Sequence, residues 1–281
     1  MNYRHGFHAG NFADVFKHAL LARLVVYLGR KETPFRVIDT HAGEGAYDLS
    51  ADEAQRTGEW RGGVGRLASL SDASDEVRTL LAPYLDCLGP LDQEGRPALY
   101  PGSPAIVRKL MRPHDRAIFC ELRPDAFAAL RRRFARDPRI RSIHIDGYLG
   151  LGAYVPPKER RGLVLIDPPF EREDEFDAAY GAFTKAYAKW SVGVYALWHP
   201  SKSDHEVRRF YARLAASGIR RILRLSFSVG GKEEGLRSCG MIVVNPPFVF
   251  EEEARTILAF LAERLAQGKN ASAQIAWFAG E

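Results

Sequence analysis

The chain of 281 residues has little sulfur: three cysteines and three methionines. Cys87, Cys120 and Cys239 stand far apart with no paired spacing. That excludes a disulfide framework and a cysteine-rich zinc site, and it favours a reducing compartment. No apolar run approaches the roughly 18 residues of a membrane span. The opening Met1-Asn2-Tyr3-Arg4-His5 starts no signal peptide. The expectation is therefore a soluble, cytoplasmic protein without a membrane partner. Internal repeats and low-complexity linkers are also lacking, which excludes solenoid and disordered classes. Neither sign of charge dominates: 40 Lys and Arg against 35 Asp and Glu leave +5 at neutral pH. Such an excess permits a polyanionic partner without demanding one. What is present, 46% hydrophobic and 27% charged residues, suits one large globular domain or a domain with an insertion.

Residues 11–29 predict a helix. Asn11 is placed to cap it, and Val15, Ala19, Leu20, Leu24 and Leu28 recur at helical spacing. Short apolar runs predict strands at Phe35–Asp39, Ala117–Cys120, Ser142–Ile145, Leu163–Ile166, Val194–Trp198, Ile222–Val229 and Met241–Val244. Helical stretches separate most of them, as at Asp125–Arg136 and Ser203–Ser217, and a last helix at Glu251–Gln267 precedes a short tail. Strands alternating with helices imply a doubly wound, mainly parallel α/β sheet. The stretch from about 49 to 113 is longer than one crossover helix requires and reads as a helical insertion.

In such a sheet, ligands bind beyond the carboxyl ends of the strands. Four strand ends carry suitable groups in order. Asp39 is followed by His41, Gly43 and Gly45, where glycines let backbone approach a ligand. A lone Gly-x-Gly is equally an ordinary turn. Glu121 ends the next strand, where an acid accepts from ribose hydroxyls; taken singly it reads as an exposed charge. Asp146-Gly147 offers an acceptor for an adenine amine. The fourth end is Asp167-Pro168-Pro169-Phe170, after the apolar run Gly162–Ile166. Its carboxylate and a proline-fixed carbonyl both accept hydrogen bonds from an amino group, while a ring stands ready to stack on a flat base. A bare Asp-Pro-Pro is as often only a proline turn. Four such ends in sequence point to a nucleoside cofactor, with its ribose at Glu121, its base at Asp146 and its reactive end at Asp167.

The Asp167–Phe170 tetrapeptide resembles the (Asp/Asn/Ser)-Pro-Pro-(Tyr/Phe/Trp) signature of S-adenosylmethionine-dependent amino methyltransferases. Asn245-Pro246-Pro247-Phe248 fits it too. Chain order favours the first, because Asp167 follows the fourth strand and Asn245 the last; the second copy reads as mainly structural. The N-terminal run is dense in polar and aromatic groups for a chain end, where disorder is the default. Its plain reading is an ordered arm before a capped helix. The sharper reading sets Tyr3 and Arg4 against a nucleic acid and turns Lys17 and His18 to the cofactor. His5, His8 and His18 lack the carboxylate or cysteine that would complete a metal site, so none is expected.

The N-terminal run, Asp39–Gly45, Arg56–Glu59, Tyr100–Pro104, Glu121–Pro124, Asp146-Gly147 and Leu165–Pro169 together resemble the RlmJ family of bacterial 23S rRNA adenine-N6 methyltransferases, over nearly the whole chain. The resemblance implies a Rossmann-like class I S-adenosylmethionine-dependent methyltransferase domain over 1–281, interrupted by a small helical subdomain at about 49–113. It implies cofactor contacts from His18, His41, Ser103, Glu121, Asp146 and Gly147, with Asp167 as the catalytic acid and Tyr3 on the RNA. Phe170 departs from the tyrosine of the best-known member but keeps a ring. Methylation of one particular adenine by direct in-line transfer follows as the expectation, on 23S rRNA that is protein-free or early in large-subunit assembly, with no obligate protein partner. RNA contact needs cations, and Arg131–Arg133 with Arg136, Arg139 and Arg141 form one dense run. Arg208, Arg209, Arg213, Arg220, Arg221 and Arg224 form another, though such runs are usually solvated faces. The alternatives are a DNA adenine-N6 methyltransferase, which would want a target-recognition domain not evident here, and an inactive nucleic-acid-binding protein, against which the intact acids argue. Protein glutamine methylation would follow only if Asn245 were the catalytic position.

Overall fold

A computed structural model describes residues 4–201, 203–231 and 235–279. Helix α1 (Phe12–Gly29) opens the fold. Its start is fixed by Asn11, whose side chain accepts from the Asp14 N–H at 2.9 Å, satisfying one of the orphan donors of the first turn. Most of its residues are buried. A helix buried nearly all round explains why its apolar residues do not form a single stripe.

Ten strands follow in chain order: β1 (Arg36–Asp39), β2 (Ala46–Tyr47), β3 (Tyr100–Pro101), β4 (Arg116–Glu121), β5 (Ile140–His144), β6 (Gly162–Ile166), β7 (Val194–Pro200), β8 (Ile222–Ser228), β9 (Ser238–Val244) and β10 (Ser272–Ala279). Eight of them form one sheet in the order β10-β8-β9-β7-β6-β1-β4-β5. From β5 to β7 every pairing is parallel, whereas β9 runs antiparallel to β7 and β8, and β10 antiparallel to β8. Alternate residues of the central strands enter opposite cores. Val37, Leu163, Leu165 and Ala196 pack on one face, and Ile38, Val164, Ile166, Tyr195 and Leu197 on the other. Burial on both faces is why these strands read as unbroken apolar runs.

The remaining helices are α2 (Asp52–Thr57), α3 (Asp75–Leu88), α4 (Ser103–Leu110), α5 (Pro124–Phe134), α6 (Gly147–Tyr154), α7 (Glu175–Lys189), α8 (Asp204–Ala215) and α9 (Phe250–Arg264). Helices α1, α3, α4 and α9 contribute to the first core, α6, α7 and α8 to the second. No helix among the described residues is long and apolar enough to cross a membrane.

Two expectations need correction. Residues 272–279 are not a tail but an edge strand along β8. Its Ala273 and Ile275 pack on one core and Phe278 on the other; the turn at Gly268-Lys269-Asn270, with Asn270 at φ +69°, was the signal that a strand follows. The 49–113 stretch is not purely helical. It contains β3, which pairs with β2 in a small ribbon, and two residues per strand are too few for an alternating pattern. Its last helix, α4, lies against α1, β1 and β4, where a crossover helix belongs. The start of the sheet is held by a buried clamp. Asp115 accepts from the Phe35 N–H at 3.1 Å and from Arg112, and Arg112 reaches the carbonyls of Gly29 and Lys31.

Candidate active site

The carboxyl ends of β1, β4, β5, β6 and β7 open into one cavity of about 640 Å³, roofed by the N-terminal arm and α1. Its lining includes Lys17, His18, His41, Gly43, Ser103, Glu121, Asp146, Gly147, Asp167, Pro168 and Phe170. Eleven residues spread over 154 positions of sequence are thus brought to one place.

At one end lies Asp167. Its Oδ2 is 2.6 Å from Lys17 Nζ, while Oδ1 has no partner among the described residues. Lys17 also sits 2.9 Å from Asp14 Oδ1. Burial pushes the Lys17 amine down, but the two carboxylates together outweigh it and hold it well above its usual range. Asp14 in turn takes His5 Nε2 and the Gly10 N–H, both at 2.9 Å. Burial would raise it, yet His5 and Lys17 hold it well below the ordinary carboxylate range. Lys17, expected to face the cofactor, lines the cavity and is tied there to Asp167 and Asp14. Asp14 itself escaped the sequence reading, because an acid in a helix's first turn reads as a dipole complement.

Phe170 has φ of +50°, a left-handed conformation that costs a β-carbon-bearing residue about 1–2 kcal/mol. Strain of this kind gathers at functional sites. It turns the ring against Phe176 at 4.8 Å and edge-on to Trp198 at 6.0 Å. Trp198, near the end of β7, lines the cavity as well; its place at a strand's carboxyl end was the signal that sequence reading passed over.

At the other end, Glu121 Oε2 accepts from the Gly43 N–H at 2.8 Å and Oε1 from the Arg123 N–H at 2.7 Å. The carboxylate is thereby fixed, with lone pairs left for a diol. Asp146 caps α6, its Oδ1 accepting from the N–H groups of Tyr148 and Leu149. Gly147 is required sterically, since a β-carbon there would lie 2.2 Å from the Thr40 carbonyl. The Thr40 hydroxyl donates to the Leu165 carbonyl, so it can only accept from His41 Nδ1, 2.8 Å away. His41 is thus left with Nε2 as an acceptor. Burial pushes it down to about 4 against the pull of Asp167 and Asp146, so it is neutral.

Asp39 was expected at the cofactor. Instead it lies beneath the cavity wall, fully buried. Its carboxylate takes the Ser103 hydroxyl at 2.6 Å and the His41 N–H at 3.2 Å. Burial raises it to about 7. It positions two lining residues and is not among the lining itself. Arg4 is exposed and paired with Glu53 at 3.0 Å, outside the cavity lining. Tyr3 lies outside the described residues.

The duplicate motif is separated by strand direction. Because β9 is antiparallel, Val244 pairs with Tyr195 near the start of β7, so Asn245 stands at the opposite edge of the sheet from Asp167. Its amide donates to the carbonyls of Ser191 and Gly193, each at 2.8 Å. Asn245→Ala is expected to lower the melting temperature by a few degrees, through about 1 kcal/mol of lost capping, with turnover unchanged within roughly twofold. Calorimetry and steady-state rates check both. The arginine runs divide. Arg139 is bound to Asp137 and the Met111 carbonyl, and Arg209 and Arg213 both reach Asp177, so these three serve the fold.

A carboxylate set for a ribose, a glycine forced by close approach and, across β1, an acid-Pro-Pro-aromatic turn at the end of β6 fit a nucleoside methyl donor. With the sheet order, they define a class I methyltransferase, an enzyme that takes its methyl group from S-adenosylmethionine. Comparison with known proteins narrows the class. The family model described as "Ribosomal RNA large subunit methyltransferase D, RlmJ" matches residues 32–279, and the chain belongs to that family. It is 37% identical over 283 residues to ribosomal RNA large subunit methyltransferase J of Escherichia coli, covering all of both chains. It is also 37% identical, over 284 residues, to the Haemophilus influenzae protein of that name, again at full coverage. Among solved structures, protein LPL1258 of Legionella pneumophila is similar with a TM-score of 0.87 and 30% identity, over 96% of this chain and 98% of that one.

Proposed function

We propose that this protein methylates N6 of one particular adenine in 23S rRNA. The observation that carries the reading is the position of Asp167. Its Oδ2 is held by Lys17, its Oδ1 has no partner among the described residues, and Pro168 and the strained Phe170 ring adjoin it at one end of a cavity whose other end is built for a nucleoside.

An adenine amine is a poor nucleophile because its lone pair is delocalised into the ring. Asp167 Oδ1 and the Pro168 carbonyl accept its two hydrogens, which favours a pyramidal nitrogen with its lone pair directed into the cavity. S-adenosylmethionine, when bound, supplies the methyl group as an activated sulfonium for direct in-line transfer. Phe170 stacks on the base, and Glu121, Asp146, Gly147, His41, Ser103 and His18 hold the donor. Positioning and fixed charges supply most of the rate, since the donor needs no further activation. The proton then leaves N6 to Asp167 or to water. The base must leave its stack to enter, at about a few kcal/mol, so single-stranded or unfolded rRNA suits the site better than an assembled particle. Tyr3 and Arg4 are assigned to the RNA, and the 49–113 segment is read as an inserted subdomain that shares in gripping it.

Incubation with labelled cofactor and three acceptors tests the reading. Protein-free 23S rRNA is expected to take up label at least about tenfold faster than intact large subunits, a difference of about 1.4 kcal/mol, while duplex DNA takes up none. Label in DNA alone would contradict it.

A further inference from the structure

His18 lines the cavity from α1, yet its ring is only 1% exposed. Behind it, away from the cavity, stand two buried tyrosines, Tyr100 of β3 and Tyr84 of α3. His18 Nδ1 is 2.9 Å from the Tyr100 hydroxyl, and the two hydroxyls are 3.2 Å apart. None of the three groups has another hydrogen-bond partner along this chain among the described residues, so its protons can be counted. The chain has two links. With the ring proton on Nδ1 there are three hydrogens to place in them, and one buried donor is stranded whichever way the hydroxyls turn. With Nδ1 bare there are two hydrogens for two links: Tyr84 donates to Tyr100, and Tyr100 donates to Nδ1. Stranded buried donors are the costly case; Nε2 is not among the buried, unpartnered atoms of the described residues and its ring lines the cavity, so a proton there can be met from the cavity and the ring proton belongs on Nε2.

That atom lies 3.9 Å from Asp14 Oδ1, too far for a hydrogen bond. Burial pushes His18 down to about 3 despite the pull of Asp14, so the ring is a neutral donor and not a cation. The neighbouring cation, Lys17, is already bound to two carboxylates. Ser103, which also lines the cavity, opens α4, and a helix N-terminus adds partial positive charge to the same wall. The methyl donor carries one group that wants such surroundings, the carboxylate of its amino-acid end.

We propose that Tyr100, backed by Tyr84, is a positioning residue that fixes His18 with its single proton on Nε2 and presents that N–H to the carboxylate of the methyl donor. Neither tyrosine lines the cavity, so both act through His18. The inserted segment that carries Tyr84 is thereby coupled to cofactor recognition by hydrogen bonds rather than by contact. The proposal rests on the cofactor reading of this cavity.

The test compares two ligands by titration calorimetry: S-adenosylhomocysteine, which has the amino-acid end, and methylthioadenosine, which lacks it. Tyr100→Phe is expected to weaken S-adenosylhomocysteine about tenfold while methylthioadenosine changes less than roughly twofold. Tyr84→Phe, which leaves Tyr100 in place, is expected to show a smaller loss with the same selectivity. Nitrogen-15 spectra of His18 are expected to show the Nε2–H tautomer in the native protein and a mixture in Tyr100→Phe. Equal weakening of both ligands, no weakening of either, or an Nδ1–H tautomer in the native protein would overturn the proposal. Native protein that binds neither ligand would remove the cofactor reading itself, and this proposal with it.

Discussion

Asp167→Ala lowers the rate of methyl transfer by about three orders of magnitude, with S-adenosylhomocysteine affinity changed by less than about threefold. The first expectation follows from the two acceptors that shape the adenine amine. Removing one leaves an N6 hydrogen unpaired in a partly buried site and lets the amine relax to its planar, unreactive form. The second follows from the distribution of residues, because Glu121 and Asp146, the residues proposed to hold the ribose and base of the donor, stand on β4 and after β5, apart from Asp167. Asp167→Asn is the sharper comparison. Its amide oxygen still accepts, but its nitrogen donates toward either Lys17 or the substrate, so it recovers only a small part of the rate. Single-turnover kinetics at saturating RNA separate transfer from binding. A native rate in Asp167→Ala would remove this residue from the chemistry.

Lys17→Met destabilises the fold by about 3–5 kcal/mol and also abolishes turnover. The charge sits between two carboxylates, at 2.9 Å from Asp14 and 2.6 Å from Asp167, and its side chain is 6% exposed. Removing one partner of a buried charge cluster leaves the others uncompensated, which is the costly direction. The pH dependence has a definite sign. In the native protein Asp14 is held below its unfolded value, so its contribution is present above about pH 4. It is lost only as the pH falls through the depressed folded value. In Lys17→Met, Asp14 has lost one of the two partners that oppose its desolvation, which favours protonation. The variant should therefore gain stability relative to the native protein as the pH is lowered from 8 to 5. Urea titrations at these pH values measure it. A loss below about 1 kcal/mol would show that the buried ion cluster does not hold the arm and β6 together.

Much of this arrangement was legible from residues alone. The central strands β1, β6 and β7 are apolar runs because both faces are covered, and helix α1 announced its start through Asn11. The acids at the ends of β4, β5 and β6 were readable because a doubly wound sheet brings consecutive parallel strands to one edge. What could not be read depends on depth and direction. Asp39 and Glu121 both end parallel strands and look alike in sequence. Only packing shows that Asp39 is sealed under Ser103 while Glu121 stays at the cavity. Asn245-Pro246-Pro247-Phe248 and Asp167-Pro168-Pro169-Phe170 are nearly the same string. The antiparallel run of β9 sends the first to the far edge, and the positive φ falls on Asn245 in one and on Phe170 in the other. The Asp14–Lys17–Asp167 cluster joins positions 150 residues apart, and no local pattern marks that pairing. The arginine runs divide for a related reason, since the guanidinium of Arg139 serves a neighbouring carboxylate and a loop carbonyl.

The central claim is that Asp167 and its proline turn direct a methyl group to N6 of an adenine in 23S rRNA. The most direct measurement is the identity of the methylated nucleoside. Protein-free 23S rRNA is incubated with the protein and labelled S-adenosylmethionine, digested, and its nucleosides separated by mass. The account predicts label in N6-methyladenosine alone, lost in Asp167→Ala. Label in any other nucleoside, or N6-methyladenosine formed equally well by Asp167→Ala, would contradict it.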